Sequence, residues 1–274
     1  NELRERKRRA ILISASFRDG QSFFKFYGKQ LKEALFAFEH IFTQDEASKT
    51  LLKKIDYNAV TVSGDTRFDR VSNQLKLNNS LPFIDQFKNN QLCIVAGSTW
   101  PEDESLFINF INSEAAKNVK FIIAPHAIIP DRIKKLQAKI HSKSVLFSEK
   151  DSKILPEYQV FIIDTIGILS KIYNYADIAY VGGAMGNTGL HNTLEAAVFG
   201  VPIIIGRNHI KFPEAQALIN NGGMFSVMNQ IDFNQIFNHL LINSDYRQKC
   251  GSKNKAFITD NKGAVIQILD YLRI

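Results

Sequence analysis

GGAMGNTGLHNTLEAAVFGVPIIIG, the stretch from Gly182 to Gly206, decides the fold class. It follows the apolar run Ile178–Val181 and ends in a second apolar run, so it predicts a strand, a glycine-rich loop, a helix starting at Asn192 and another strand. Glycine is costly to order, so four glycines in the first eight residues indicate that a ligand approaches the backbone. A loop that leads into a helix N-terminus favours a phosphate. The carboxylate of Glu195, one turn into the helix, can accept hydrogen bonds from ribose hydroxyls.

Two interpretations of this helix start remain open. Asn192 and Glu195 have the spacing of an N-cap and its N3 residue, so the pair could do no more than start a helix. The same residues also suit a nucleotide sugar, because the loop before them is rich in glycine and His191 adds a further donor. In the second interpretation the ligand contacts are the glycine-rich loop, His191, Asn192 and Glu195.

The rest of the chain alternates between apolar runs and helical periodicity, which is typical of parallel α/β sheets. In the first part we predict strands at Ala10–Ala15, His40–Thr43 and Val60–Val62, and a helix over Phe23–Phe38. In the second part we predict strands at 92–96, 121–124, 144–147, 160–163, 178–181 and 202–205, and only helices after about residue 231. The predicted segments are a partial N-terminal domain at 1–72, a connector at 73–90, a second domain at 91–255 and a helix at 256–274 that can pack back on the first domain.

Ligands in open α/β sheets bind at the carboxyl ends of the strands, so the residues that follow each strand are candidate contacts. Ser98 and Thr99 follow the first strand of the second domain, and His126 follows the next one. Their hydroxyls and imidazole suit a phosphate, a sugar or a base edge. A capping box of Thr99 with Glu102 is the alternative for one hydroxyl. A structural role is the alternative for a lone histidine.

Two later strand ends extend the same predicted crevice. Thr165 and Gly167 supply a hydroxyl and bare backbone after another strand, although Asp164 beside them could simply cap a helix. Arg207 and Lys211 follow the last predicted strand, where cations either bind an anion or stand in a solvated loop. We predict that these strand ends together form one ligand-binding crevice.

The motif content of the 274 residues leaves several classes of protein unsupported. The chain has no P-loop, no dinucleotide-binding glycine motif after a first strand and no nucleophile elbow. Cys93 and Cys250 lie far apart, and neither has a metal-ligand spacing or a context that activates a thiolate. No metal site is expected. No apolar run reaches the roughly 20 residues that span a bilayer.

The net charge of +7 is concentrated near the start of the chain. The basic residues there are Arg4, Arg6, Lys7, Arg8 and Arg9, followed by Arg18, Lys25, Lys29 and Lys32 among aromatic residues. Such a segment could meet nucleic acid, an anionic lipid surface or a phosphorylated substrate. It could equally be a solvated helix face.

Six stretches carry a resemblance to a known family. They are FTQDEASKTLL (Phe42 to Leu52), VSGDTRFDRV (Val62 to Val71), VAGSTWPEDE (Val95 to Glu104), IIAPH (Ile122 to His126), IDTIGILS (Ile163 to Ser170) and GLHNTLEAAVFGVPIIIG (Gly189 to Gly206). With these stretches, in this order, the chain resembles the 3-deoxy-D-manno-octulosonic acid (Kdo) transferases of Gram-negative bacteria, in particular those of Bacteroidetes. The last stretch is shared in general form with many glycosyltransferases, whereas GSTWPEDE and GDTRFDRV are far more specific.

The resemblance implies an α/β fold of the GT-B glycosyltransferase type, with a complete C-terminal Rossmann-like domain and the later βα units of the N-terminal, acceptor-side domain. It implies transfer of Kdo from CMP-Kdo to a lipid A precursor, lipid IVA, with inversion and without a metal or cofactor. It also implies attachment to the cytoplasmic face of the inner membrane. The partners are then CMP-Kdo, the phosphorylated acceptor and the membrane surface, met by the basic and aromatic segment, and not nucleic acid.

The same resemblance assigns roles to single residues. CMP would contact Ser98, His126, Gly167, Asn192 and Glu195, with Thr99, Thr165 and Thr193 beside them. Glu195 would take the ribose hydroxyls, and Asn192 with the helix amides would hold the phosphate. The residues left for phosphate or Kdo contacts are Gly189, His191, Arg207 and Lys211.

Two departures from the family pattern limit these expectations. Other branches carry Pro-Arg-His where this chain has Ala124-Pro125-His126, so an arginine contact is missing or comes from elsewhere, for example from Arg207. The family's membrane helix and catalytic glutamate base are expected upstream of Asn1, so the chain is interpreted as a fragment. The alternatives are a GT-B-like UDP-sugar epimerase or hydrolase and a non-catalytic fragment that binds anionic ligands.

Overall fold

The computed structural model describes residues 2–6 and 8–273, so Lys7 of the basic opening segment lies outside the described residues. The chain divides into two compact units. Unit 1 contains the residues up to Ser72 together with those from Thr259 onward. Unit 2 is the continuous segment Asn73–Ile258.

Unit 1 contains a parallel sheet of three strands in the order β1-β2-β3. Its elements are α1 (Glu2–Glu5), β1 (Ile11–Ala15), α2 (Lys29–Leu35), β2 (His40–Thr43), α3 (Glu46–Lys53), β3 (Val60–Val62), α4 (Thr66–Gln74, which ends just beyond the division) and α13 (Ala264–Leu272). Asp45 caps α3, because its Oδ1 accepts the Ser48 N–H at 2.6 Å. The three strands lie where the apolar runs predicted them.

The single helix predicted over Phe23–Phe38 is wrong. Two 3₁₀ turns at Ser22–Phe24 and Phe26–Gly28 precede α2. Gly28 allows this compact path, since a Cβ there would lie 1.6 Å from the Ser22 carbonyl oxygen. The rings of Phe23 and Phe24 pack edge-on against Phe17 rather than along one helix face.

Unit 2 contains a parallel sheet of seven strands in the order β10-β9-β8-β4-β5-β7-β6. Its strands are β4 (Leu92–Thr99), β5 (Val119–Pro125), β6 (Ser144–Leu146), β7 (Val160–Ile162), β8 (Ile178–Val181), β9 (Ile203–Gly206) and β10 (Met224–Val227). Its helices are α5 (Pro82–Lys88), α6 (Pro101–Ile111), α7 (Pro130–Ala138), α8 (Leu169–Ile172), α9 (Leu194–Ala197), α10 (Pro213–Asn220), α11 (Gln230–Ile242) and α12 (Ser244–Asn261, which ends just beyond the division). The strand order reverses between β4 and β8, and such a switch point is where open α/β sheets bind ligands.

Unit 2 has a core of aromatic rings between the sheet and two helices. Phe107 and Phe110 of α6 meet Phe233 and Phe237 of α11, and Tyr180 of β8 completes the cluster. All five side chains are buried. Each such ring contributes roughly 1.5–3 kcal/mol through burial, so this cluster fixes α6 and β8, whose loops form the site described below.

Candidate functional site

The end of β4 carries a strained residue at the switch point. Ser98 has φ +53°, in the left-handed region that favours glycine, and the register with β5 shifts between Gly97 and Thr99. The β4 and β8 backbones approach closely here, since a Cβ on Gly182 would lie 2.4 Å from the Ser98 carbonyl oxygen. Strain of this kind persists only where surrounding contacts hold it, and it is common at ligand sites.

A buried carboxylate holds this geometry. Asp103, in the first turn of α6, accepts the Tyr180 hydroxyl at 2.6 Å. It also accepts the backbone N–H groups of Trp100 and Gly183, each at 2.9 Å. Burial raises the pKa of the Asp103 carboxyl, and these three hydrogen bonds oppose the shift. Asp103 therefore ties the loop after β4 to the loop after β8.

The cap of α6 differs from the capping box of Thr99 with Glu102. The N-cap is Trp100, whose N–H binds Asp103, and Thr99 Oγ1 donates to Glu104 Oε1 at 3.1 Å. Asp164 does not cap a helix either, since its carboxylate accepts the Ser148 N–H and hydroxyl at 2.9 and 2.6 Å. Sequence reasoning gave neither Trp100 nor Asp103 a role.

Three aromatic rings join the ends of β5, β4 and β8. The Trp100 indole N–H donates to His191 Nε2 at 3.1 Å. The His126 ring stacks on both, with centroids 4.8 Å from Trp100 and 4.4 Å from His191. Burial lowers the pKa of His191, and the neighbouring His126 lowers it further. The structure thus brings His126 and His191 together, as the strand ends predicted, with Trp100 between their loops.

The helix expected to start at Asn192 is shorter and begins later. α9 covers Leu194–Ala197, and its N-cap is Thr193. Asn192 Nδ2 donates to Glu195 Oε1 at 2.9 Å, and Asn192 Oδ1 accepts the Leu194 N–H at 3.2 Å. Because one turn carries little macrodipole, a phosphate here would depend more on side chains and loop amides than on a helix end. The side-chain amide of Asn192 thus orients the Glu195 carboxylate.

A cavity of about 360 Å³ adjoins the glycine-rich loop. It is lined by Gly186, Asn187, Gly189, Arg207, Asn208, Ile210, Lys211 and Phe212. Asn208 connects the loop after β9 to the glycine-rich loop. The backbone N–H of Asn208 donates to the Ala184 carbonyl at 2.8 Å, and the side-chain amide of Asn208 donates to the Gly186 carbonyl at 2.7 Å. The exposed cations Arg207 and Lys211 give this cavity a positive charge suited to an anionic ligand.

Four further predicted contacts lie at the same edge of the sheet but differ in exposure. Thr99 and Thr193 are 2% and 1% exposed, and the Thr193 hydroxyl finds no partner among the described residues. Thr165 is half-buried in the loop after β7, and Gly167 is exposed there with φ +89°. The contact of all four with a nucleotide stays a prediction.

Other reactive groups lie away from this edge. Burial raises the pKa of the Cys93 thiol to about 12, so Cys93 is protonated at neutral pH. Burial likewise raises the pKa of Cys250. Among residues 2–6 and 8–273, no group of three or more His, Cys, Asp or Glu side chains has the arrangement of a metal site. Nor does any helix in this part of the chain have the length and apolar character needed to cross a membrane.

No protein-family model matches the chain, but curated relatives do. The chain is 25% identical over 241 residues to the 3-deoxy-D-manno-octulosonic acid transferase of Haemophilus influenzae, covering 85% of this chain and 56% of the relative. It is 27% identical over 207 residues to the enzyme of that name from Rickettsia prowazekii, covering 74% of this chain and 43% of the relative. The chain thus spans about half the length of the curated relatives it matches.

Solved structures show the fold. The C-terminal CMP-Kdo binding domain of WaaA from Acinetobacter baumannii matches with a TM-score of 0.56 and 18% identity, over 71% of this chain and 98% of the domain. The UDP-GlcNAc 2-epimerase from Neisseria meningitidis, bound to UDP-GlcNAc, matches with a TM-score of 0.66 and 16% identity, over 99% of this chain and 71% of the epimerase. The parallel sheets and these neighbours confirm the predicted α/β fold of the GT-B type. The sequence relatives confirm the resemblance found in the motifs, and the chain is related in sequence to the 3-deoxy-D-manno-octulosonic acid transferases.

Proposed function

We propose that the chain is the donor-binding part of a glycosyltransferase that moves Kdo from CMP-Kdo to a phosphorylated lipid A precursor, lipid IVA. The observation that carries the proposal is the switch-point edge, where β5, β4 and β8 bring Ser98, His126 and the segment from His191 to Glu195 together. The names of the sequence relatives support the sugar. The A. baumannii domain, which is a CMP-Kdo binding domain, supports the donor.

Each group at this edge has a part in the proposal. Glu195, held by Asn192, accepts the ribose hydroxyls of CMP. Ser98 and His126 contact the phosphate or the base. Arg207 and Lys211, in the cavity beside Gly189, meet the phosphate or the Kdo carboxylate.

Transfer then proceeds by attack of an acceptor hydroxyl on the anomeric carbon of Kdo, with inversion, while CMP leaves with the bonding electrons. Cations and amides fixed around the departing CMP stabilise its growing negative charge, which lowers the barrier without a metal cofactor. We assign none of these donor-side groups as the general base and propose that the proton of the acceptor hydroxyl passes to a carboxylate of the acceptor-side domain.

The acceptor side of the proposal concerns the basic and aromatic segment of unit 1. Phe26 is 97% exposed and Tyr27 is 65% exposed, and Lys25 and Lys29 flank them. Exposed rings beside lysines suit the interface of an anionic membrane, where the lipid acceptor resides. We therefore propose that this segment lies at the cytoplasmic face of the inner membrane.

Calorimetry with CMP, UMP and UDP tests the donor site. We expect selective binding of CMP, and we expect Glu195→Ala to reduce CMP affinity at least tenfold while the melting temperature stays within a few degrees of the wild type. Glu157→Ala, which removes an exposed carboxylate paired with Lys143, is the matched control and should change neither value. Equal losses of affinity and stability in Glu195→Ala would favour a role in capping.

A UDP-sugar epimerase or hydrolase is the second candidate, since the N. meningitidis epimerase aligns with 99% of the chain. Preferential binding of UDP in the same titrations would favour this candidate and overturn the proposal. Binding of none of the three nucleotides would overturn both and leave a fragment that binds other anionic ligands.

A further inference from the structure

Trp100 is joined to both histidines of the candidate site, although it carries no group that reacts. Its indole N–H, which can only donate, points to His191 Nε2 at 3.1 Å. His191 Nε2 must therefore be the unprotonated acceptor of this pair, and neutral His191 carries its proton on Nδ1. Protonation of Nε2 would set two N–H groups against each other and break the contact.

The three rings are held in place from the backbone. The backbone N–H of Trp100 donates to buried Asp103. The backbone N–H of His126 donates to the Thr99 carbonyl at 2.9 Å, and that of His191 donates to the Gly182 carbonyl at 3.1 Å. Trp100, His126 and His191 thus belong to neighbouring strand ends of the sheet. The indole cannot turn away from His191 without giving up its stacking on His126.

The charged groups around His191 act in both directions. Burial and the facing His126 from the end of β5 disfavour the imidazolium form. Asp103 of α6 accepts the backbone N–H groups of Trp100 and Gly183. Glu195 of α9 comes four residues after His191 in the sequence. Glu102 of α6 lies beside the glycine-rich loop, since a Cβ on Gly186 would come 3.0 Å from its carboxyl carbon. A carboxylate in general favours an imidazolium, whereas burial, His126 and the hydrogen bond from Trp100 all favour neutral His191.

We propose that Trp100 is a positioning residue of the donor-nucleotide site, whose N–H holds His191 as the Nδ1–H tautomer so that this imidazole can donate a hydrogen bond to an anionic group of the nucleotide. The inference rests on the proposed function. It adds that His191 serves as a neutral, oriented donor and not as a cation. Protonation of His191 in acid breaks the contact with Trp100 and releases the ring from this orientation, so we expect nucleotide binding to weaken in acid although the imidazolium keeps its Nδ1–H.

The ¹⁵N shifts of the His191 imidazole test the tautomer without any ligand. In the wild type we expect a protonated Nδ1 and an unprotonated Nε2 at pH 7.5. Trp100→Phe keeps a ring on His126 but removes the N–H, so we expect a mixture of tautomers and a rise of the His191 pKa by about 0.5–1 unit. Trp100→His restores an N–H donor, so we expect it to recover part of the single tautomer and part of the lower His191 pKa. Identical His191 shifts in wild type and Trp100→Phe would overturn the inference.

Calorimetry with CMP between pH 5.5 and 8 tests the role in binding. We expect Trp100→Phe to lose about three- to tenfold in affinity at pH 7.5, with partial recovery in Trp100→His. Tyr271→Phe removes an aromatic donor in unit 1 and should leave the affinity and the His191 shifts unchanged. An affinity of Trp100→Phe equal to that of the wild type at every pH would overturn the role of Trp100 even if the tautomer is as expected. A wild type that binds no CMP would instead overturn the proposed function, and the role of Trp100 with it, while the ¹⁵N shifts would still decide the tautomer.

Discussion

Ser98 has a backbone conformation that lowers stability, and we propose that its hydroxyl contributes to ligand binding. Its φ of +53° is a conformation that glycine adopts freely and that costs other residues about 1 kcal/mol or more. A serine at this position therefore gains nothing for the backbone. Its hydroxyl, at the switch point of the sheet, is the group that can repay the strain through a ligand.

Two substitutions of Ser98 should separate the hydroxyl from the strain. Ser98→Ala keeps the left-handed backbone and removes the hydroxyl, so we expect weaker CMP binding and unchanged or slightly lower stability. Ser98→Gly removes both, so we expect the same loss of affinity with a stability equal to or up to about 1 kcal/mol above that of Ser98→Ala. Urea unfolding and calorimetry measure the two quantities. Equal affinities for wild type and Ser98→Ala would show that the hydroxyl does not touch the nucleotide.

At the level of residues, the sequence predicted the side chains that follow strands and missed those that support them. Ser98 and His126 were predicted as ligand contacts because each lies two residues after an apolar run. Asp103 could not, since an acidic residue in the first turn of a helix usually indicates only a favourable helix dipole. Its role depends on Gly183, 80 residues away, and such a partner is visible only in the folded chain. Trp100 was hidden for the same reason, because its partner His191 lies on another strand end.

The helix α6 carries the carboxylate that joins two loops of the site, so its first turn has more influence than its length suggests. Asp103→Ala would leave the Tyr180 hydroxyl and the N–H groups of Trp100 and Gly183 buried without their acceptor. We expect a loss of about 3 kcal/mol in the free energy of unfolding of unit 2, because each unsatisfied buried donor is costly. Asp164→Ala, which removes the more exposed bonds to Ser148, should cost about 1 kcal/mol in the same urea titration. Similar losses in the two variants would contradict the role given to Asp103.

The strands were predicted more accurately than the helix over Phe23–Phe38. β2, β3 and β8 have the predicted bounds, while β10 (Met224–Val227) was not predicted. The helix predicted over Phe23–Phe38 was wrong. Its aromatic spacing imitates a helical face, but Phe17 on the preceding segment draws two of the rings into one cluster. Tertiary packing thus overrode local periodicity.

On the scale of the whole molecule, the last helix is part of unit 1. Asp69 of α4 accepts the Gly263 N–H at 2.9 Å at the start of α13. Near the other end of α13, Tyr271 packs on His40 and Phe42 of β2, with centroids 4.6 and 5.3 Å away. The middle of the helix contributes buried Ile268.

Removal of residues 262–274 should therefore destabilise unit 1 selectively. We expect faster hydrogen exchange in β1, β2 and β3, equivalent to a loss of about 3 kcal/mol or more, because buried aliphatic and aromatic side chains are lost. β4, β5 and β8 should keep their protection, and CMP affinity should be unchanged. Ile266→Ser, which alters an exposed position of α13, is the control and should affect neither unit. Equal loss of protection in both units would show that α13 stabilises the chain as a whole.

The discontinuous composition of unit 1 also has a consequence for synthesis on the ribosome. Residues up to Ser72 emerge before unit 2, yet they lack the packing of α13 until translation has passed residue 272. Unit 2, as one uninterrupted segment, has by then left the exit tunnel almost entirely and can already be folded. The strands of unit 1 are thus translated before those of unit 2 but reach their final state after them, and in the meantime their edges are open to aggregation.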